Sequence, residues 1–120
     1  EGTVSNDLPG VPAHKKLAQL GNGPEIRISD KYLIADRSFN NYLQDTANKK
    51  KINFQLTAKN AGGTNATAFQ VTGKGSKATV LSVPVRYLHS PSSVCLIKDV
   101  ASTIKLLTAG ILNIQKFKDE

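Results

Sequence analysis

Thr79-Val80-Leu81-Ser82-Val83 runs without a break into Pro84-Val85-Arg86-Tyr87-Leu88-His89-Ser90-Pro91. The first five residues read as a buried strand, and His89 follows its end at once. Ligands and reacting groups gather where the strands of an α/β sheet stop. A neutral imidazole held there is a good ligand for zinc or cobalt. A hydrogen-bonded structural histidine produces the same pattern, so the residues alone leave both readings open.

Working outward, the strand has α/β company. Ile26-Arg27-Ile28-Ser29 alternates and predicts a short strand. Ser38 is a candidate N-cap, and Phe39, Tyr42, Leu43, Thr46 and Ala47 after it keep helical spacing. Ile52, Phe54 and Leu56 alternate with polar residues as a second strand. A turn at 60–64 leads to a short helix from Asn65 that ends near Gly73 and Gly75. Val94-Cys95-Leu96-Ile97 is a further strand candidate, with Cys95 expected buried. Asp99 is a candidate N-cap for a last helix along Val100, Ile104, Leu107, Ile111 and Ile114. Residues 1–24 carry repeated Pro and Gly breaks and read as a long loop. The predicted class is α/β, with parallel strands burying the 79–83 run on both sides.

Composition bounds the rest. At 120 residues with 39% apolar content, the chain is one domain at most and large enough for a core. No apolar run approaches the roughly 20 residues that span a bilayer, so no membrane partner is expected. The lone cysteine has no internal partner, which points to a reducing, cytoplasmic setting. The net charge of +7 invites a nucleic-acid reading, but its placement opposes it. Lys49-Lys50-Lys51 closes a predicted helix, where cations suit the dipole, and no aromatics interleave with the basic residues. No nucleic-acid partner is expected. The chain lacks methionine, which suggests a piece of something longer.

Few residues can carry chemistry. His14 lies in a polar loop and reads as a surface histidine. Asp7, in Asn6-Asp7-Leu8-Pro9-Gly10, suits a hard or borderline cation, although an Asx-turn is the plainer reading. His-Glu-x-x-His, Cys-x-x-Cys, Gly-x-Ser-x-Gly and phosphate-loop patterns are all missing.

Four blocks in order resemble one family. They are Asp7-Leu8-Pro9-Gly10-Val11-Pro12, then Leu20-Gly21-Asn22-Gly23-Pro24-Glu25-Ile26 with Asp30, then Gly62-Gly63-Thr64-Asn65-Ala66, then Pro84 to Pro91 with Asp99-Val100 behind it. Together they resemble peptidase family forty-two, the tetrahedral (TET), glutamyl and deblocking aminopeptidases, some of which are labelled endoglucanases. The resemblance implies a partial three-layer sheet with helices on both faces, residues 1–120 being the C-terminal portion of the catalytic domain without its inserted dimerisation domain. It implies two divalent metal ions, zinc or cobalt, with Asp7 a ligand of one and His89 of the other. Arg86 and Tyr87 would support the His89 loop, and Gly62, Gly63, Thr64 and Asn65 would lie near the substrate pocket. The family has Asp where this chain has Asn65; a change of specificity and a neutral capping swap are equally open. The family's paired glutamates have no counterpart, because Glu1, Glu25 and Glu120 are the only glutamates. No catalytic residue is therefore expected in this chain, and alone it should be inactive. The implied partners are a peptide substrate, the rest of the same catalytic domain, and further copies in an assembly from dimer to dodecamer. The alternative is a non-catalytic pseudoenzyme or assembly module on the same scaffold.

Overall fold

A computed structural model describes residues 1–117. Its elements are β1 (Gly2–Val4), β2 (Glu25–Ser29), α1 (Arg37–Lys49), β3 (Gln55–Ala58), α2 (Ala66–Val71), β4 (Leu81–Val85) and α3 (Ile97–Leu112), with single 3-10 turns at Ala13–Lys15 and Ile114–Lys116. The four strands form one open sheet in the order β1-β4-β2-β3. β1 runs parallel to β4 and β2 parallel to β3, but β2 and β4 are antiparallel. The α/β class is as expected, while the all-parallel sheet is not. β4 accordingly alternates: Ser82 and Pro84 are buried, and Leu81, Val83 and Val85 are partly exposed.

Pro84 sits in an inner strand, where a missing N–H normally costs a ladder bond. Here the β2–β4 pairing stops at Glu25↔Ser82, before it reaches Pro84. The N–H of Val83 serves β1 instead, donating to Glu1 O at 3.0 Å.

α1 and α3 lie side by side on one face of the sheet. Leu43 and Ala47 of α1 and Leu106 of α3 enclose Ile26 of β2, with Phe39, Tyr42, Ile52, Phe54 and Leu81 around them. The helices meet closely at Gly110, whose carbonyl accepts from Tyr42 Oη–H at 2.6 Å. A Cβ at Gly110 would stand 3.2 Å from a Leu43 methyl. A smaller cluster joins Ala66 of α2 to Leu33, Ala78 and Val80.

Several local expectations shift. The N-cap of α1 is Asp36, whose Oδ1 accepts from Phe39 N–H at 2.8 Å, with the Ser38 hydroxyl donating to the same oxygen. The second strand begins at Gln55, because Ile52 still closes α1 by donating to Ala47 O at 2.9 Å. Residues 94–97 are not a strand. They cross the surface into α3, and Cys95 is exposed rather than buried. Asp99 does not cap α3; its buried carboxylate accepts from Gly21 N–H at 2.6 Å and Gly23 N–H at 3.1 Å. The buried face of α3 is Asp99, Thr103, Leu106, Ala109 and Gly110. The apolar stripe Ile104, Leu107, Ile111 and Ile114 points outward with exposures of 43–62%. Residues 2–18, read as loop, contain β1 and a bridge from Ser5 to Ala18.

The Gly-x-Gly-Pro turn has a steric cause. Gly23 has φ +84°, and a Cβ there would lie 2.0 Å from the carbonyl oxygen of Asn53. Gly10 has nearly the same angle, φ +82°, in open space. G23A should therefore cost about 4 kcal/mol or more, against about 1 kcal/mol for G10A, where only the left-handed angle is at stake. Urea unfolding midpoints of the two variants check the difference.

Candidate functional site

The parallel pairing of β1 with β4 decides what meets. Both strands leave the sheet at the same end, so Ser5-Asn6-Asp7 and Arg86-Tyr87-Leu88-His89 exit together. Arg86 grips Asp7 with two nitrogens: Nε donates to Oδ1 at 2.7 Å and Nη2 to Oδ2 at 3.0 Å. Ser5 Oγ–H donates to Oδ1 at 2.7 Å, and Leu20 N–H donates to Oδ2 at 3.0 Å. The carboxylate thus receives four hydrogen bonds, two of them from a guanidinium.

These donors fix its protonation. The Arg86 hydrogen bonds, foremost, with those from Ser5 and Leu20, hold the Asp7 carboxyl well below the usual carboxylate range, outweighing the opposing effect of burial. The same pair raises Arg86. A cation seeking Asp7 would approach an oxygen pair already facing a positive charge. In this structure the Asp7 carboxylate is anchored by Arg86.

His89 stands differently. Its imidazole is exposed and makes no hydrogen bond or ion pair among the described residues. It is therefore not the hydrogen-bonded core histidine that the sequence left open. Its backbone is unusual: Tyr87 has φ 59° and His89 φ 66°, left-handed values uncommon outside glycine. The segment is closed by Arg86 N–H to Val94 O at 2.8 Å and by Val94 N–H to Arg86 O at 3.1 Å. Tyr87 is exposed and makes no polar contact with His89.

The loop of Gly62, Gly63, Thr64 and Asn65 follows β3, which runs opposite to β4, so it leaves the sheet at the other end from Asp7 and Arg86. Gly63 is held against the ring of Tyr32, which a Cβ would meet at 2.8 Å. Thr64 and Asn65 border an apolar groove of about 540 Å³ that includes Phe39, Leu81 and Leu107. Asn65 precedes α2 but makes no side-chain cap bond, so capping does not explain that residue. His14 lies on a surface 3-10 turn and is exposed.

A second polar centre was not foreseen. Glu25 is fully buried, with Lys59 Nζ at 3.0 Å and Arg27 Nη2 at 3.4 Å, while Arg27 Nη1 reaches Asp30 at 3.0 Å. The hydroxyl of Thr57 donates to Glu25, and Lys59 donates to Thr3. Two carboxylates and two cations cancel. Burial pushes the Glu25 carboxyl up, but Thr3, Thr57, Lys59 and Arg27 outweigh it and hold it below its usual range. A carboxylate so enclosed cannot accept a proton from a substrate water. Among the described residues no three His, Cys, Asp or Glu side chains gather to hold a metal ion. The donors at this end of the sheet, the Asp7 carboxylate and the exposed His89 imidazole, would fit a share of a metal site, not a whole one.

Residues 1–106 match the sequence profile of the M42 glutamyl aminopeptidases. The lysyl aminopeptidase of Pyrococcus furiosus is 32% identical over 96 residues, 79% of this chain and 27% of that protein. The solved aminopeptidase APDkam598 of Desulfurococcus kamchatkensis superposes with a TM-score of 0.90 at 33% identity, covering 99% of this chain and 36% of its own. The TET1 peptidase of Pyrococcus horikoshii, described as assembling into a tetrahedron or a large octahedral shell, superposes with a TM-score of 0.70 at 37% identity, over 77% of this chain and 27% of its own. The chain spans about a third of the length of the relatives it matches.

The Asp7 contacts predict an acid response. A carboxyl depressed on folding contributes stability that is complete above its ordinary value of 3.8 and is lost as pH falls below it. D7N should flatten the fall in unfolding free energy between about pH 5 and about pH 2. Urea titrations across that range compare the variant with the parent.

Proposed function

The chain belongs to the M42 glutamyl aminopeptidase family, and on that premise we propose that residues 1–120 form the C-terminal segment of the catalytic domain of a metal-dependent aminopeptidase. The whole protein removes N-terminal residues from peptides by hydrolysis of the first peptide bond. The observation that carries this reading is His89: exposed, unbonded, and set on a left-handed turn directly after β4.

Asp7 and His89 are the residues of this chain that would hold the ions, through a carboxylate oxygen and a neutral imidazole nitrogen. Zinc or cobalt bound there would supply an acidified water and a polarised scissile carbonyl. The remaining ligands and the general base come from outside these 120 residues, since Glu25 is locked among cations. The loop of Gly62 to Asn65 leaves the sheet at the end away from His89, so a part in receiving substrate rests on family membership rather than on proximity to the ion-holding turn. The outward stripe Ile104, Leu107, Ile111 and Ile114 supports a further layer of the same domain packed over α3. The whole protein forms homo-oligomers, as the assembling relative does. A reducing, cytoplasmic setting suits the exposed, unpaired thiol of Cys95.

The purified 120-residue chain should release no aniline dye from leucine or glutamate anilides; measurable turnover would refute the division of labour. In the whole protein, H89A should lose one equivalent of metal and most activity. Full occupancy by metal analysis would remove His89 from the site. N65D should change the KM ratio between basic and acidic anilides several-fold with little change in kcat. An unchanged ratio would separate Asn65 from substrate recognition.

A further inference from the structure

We propose that Tyr32 is a positioning residue for the loop of Gly62 to Asn65. Its ring is the platform on which the loop rests, and it fixes where Thr64 and Asn65 stand at the apolar groove. The inference rests on the reading of that loop as a part of the substrate wall and adds what holds it in place.

Three observations converge. First, β2 and β3 are parallel, so the turn after β2 and the loop after β3 leave the sheet together. Gly63 then lies against Tyr32: a Cβ there would stand 2.8 Å from Cδ2 and 3.5 Å from Cε2 of the ring. The backbone of Gly63 is not left-handed, so the ring contact is what a side chain at 63 would violate. Second, the loop has little else to fix it. Residues 60–63 make no hydrogen bond among the described residues. Bonding resumes at Thr64, whose carbonyl accepts from Thr67 N–H at 3.2 Å and whose Oγ1 accepts from Ala66 N–H at 3.3 Å. Gly62, at φ +78°, has open space where its Cβ would be. Third, Tyr32 is itself held from behind. Asp30 Oδ1 accepts from Tyr32 N–H and Leu33 N–H, both at 3.0 Å, and Oδ2 accepts from the buried Arg27 at 3.0 Å. Leu33 packs in one buried cluster with Ala66, the residue just past the loop. The turn at 30–33 therefore grips the loop at its middle and at its far end.

The ring of Tyr32 is 62% exposed, and its hydroxyl makes no hydrogen bond among the described residues. So exposed a side chain contributes little to overall stability. Its loss should be felt where it touches, in the seating of the loop.

A cycle between Tyr32 and Asn65 in the whole protein decides it. Y32A, Y32F, N65D and the double variant Y32A/N65D are compared for kcat and KM on basic and acidic aminoacyl anilides. Thermal melting shows which variants are folded. Y32F keeps the ring and should keep the parent's KM ratio. Y32A should raise both KM values and move their ratio several-fold toward one, with little change in kcat or melting temperature. The shift that N65D causes should shrink beside Y32A, because an unseated loop no longer presents position 65. Y32L carries the same comparison if Y32A does not fold. N65D keeping its full shift beside Y32A would overturn the platform, as would a lower melting temperature in Y32A with an unchanged ratio. Y32F behaving like Y32A would overturn it too, since the hydroxyl would then be the acting group. An N65D ratio that matches its background with and without Tyr32 would remove the loop from the substrate wall, and the platform's purpose with it.

Discussion

Four short strands of three to five residues are held in register by charge as much as by the backbone ladder. Glu25 of β2 sits fully buried beside Arg27 of the same strand and Thr57 of β3, and Lys59, just past β3, reaches both Glu25 and Thr3 of β1. Removing such charges from water is costly unless each finds a partner. The observed arrangement of β1, β2 and β3 pairs them, and a slip of one residue would turn the set to the other face. β1 is the clearest beneficiary. With three residues and only β4 beside it, it draws added definition from Thr3, which accepts from both Arg27 and Lys59.

That arrangement leads to the site. Once β1 is pinned parallel to β4, the residues following each strand must leave at the same end. Asp7 and Arg86, 79 positions apart, then become neighbours. The long segment between β1 and β2 is tied down by two carboxylates of opposite sequence origin: Asp7 takes Leu20 N–H, and Asp99 takes Gly21 and Gly23 N–H. A chain stretch that reads as a loop is thereby as well anchored as the sheet itself.

The sequence shows most where a local cause acts locally. β2, α1 and α2 were legible because periodicity and breakers lie within each segment, and the Gly-x-Gly-Pro turn because Gly23 has no steric alternative. The antiparallel β2–β4 pairing was illegible, since an apolar run of five residues looks alike in either direction. The helix of α3 was legible, its buried face was not. Ile104, Leu107 and Ile111 make the stronger apolar stripe, yet the buried side uses Asp99, Thr103 and Gly110, chosen by hydrogen bonds and by close approach to α1. Periodicity finds an amphipathic helix but not which partner each face awaits. Cys95 failed for a related reason: an apolar run of four is too short to distinguish a strand from a surface crossing.

Asp7 shows the same limit at the level of chemistry. A carboxylate in a Pro/Gly loop announces that something positive belongs beside it, and both a divalent ion and a guanidinium answer that description. The choice depends on a residue across the sheet, and β1, three residues long, gave no strand signal to bring Arg86 to mind. In this structure both Asp7 oxygens accept hydrogen bonds, from Ser5, Leu20 and Arg86. The imidazole of His89, by contrast, keeps its nitrogens free on a turn that no unsupported chain would choose.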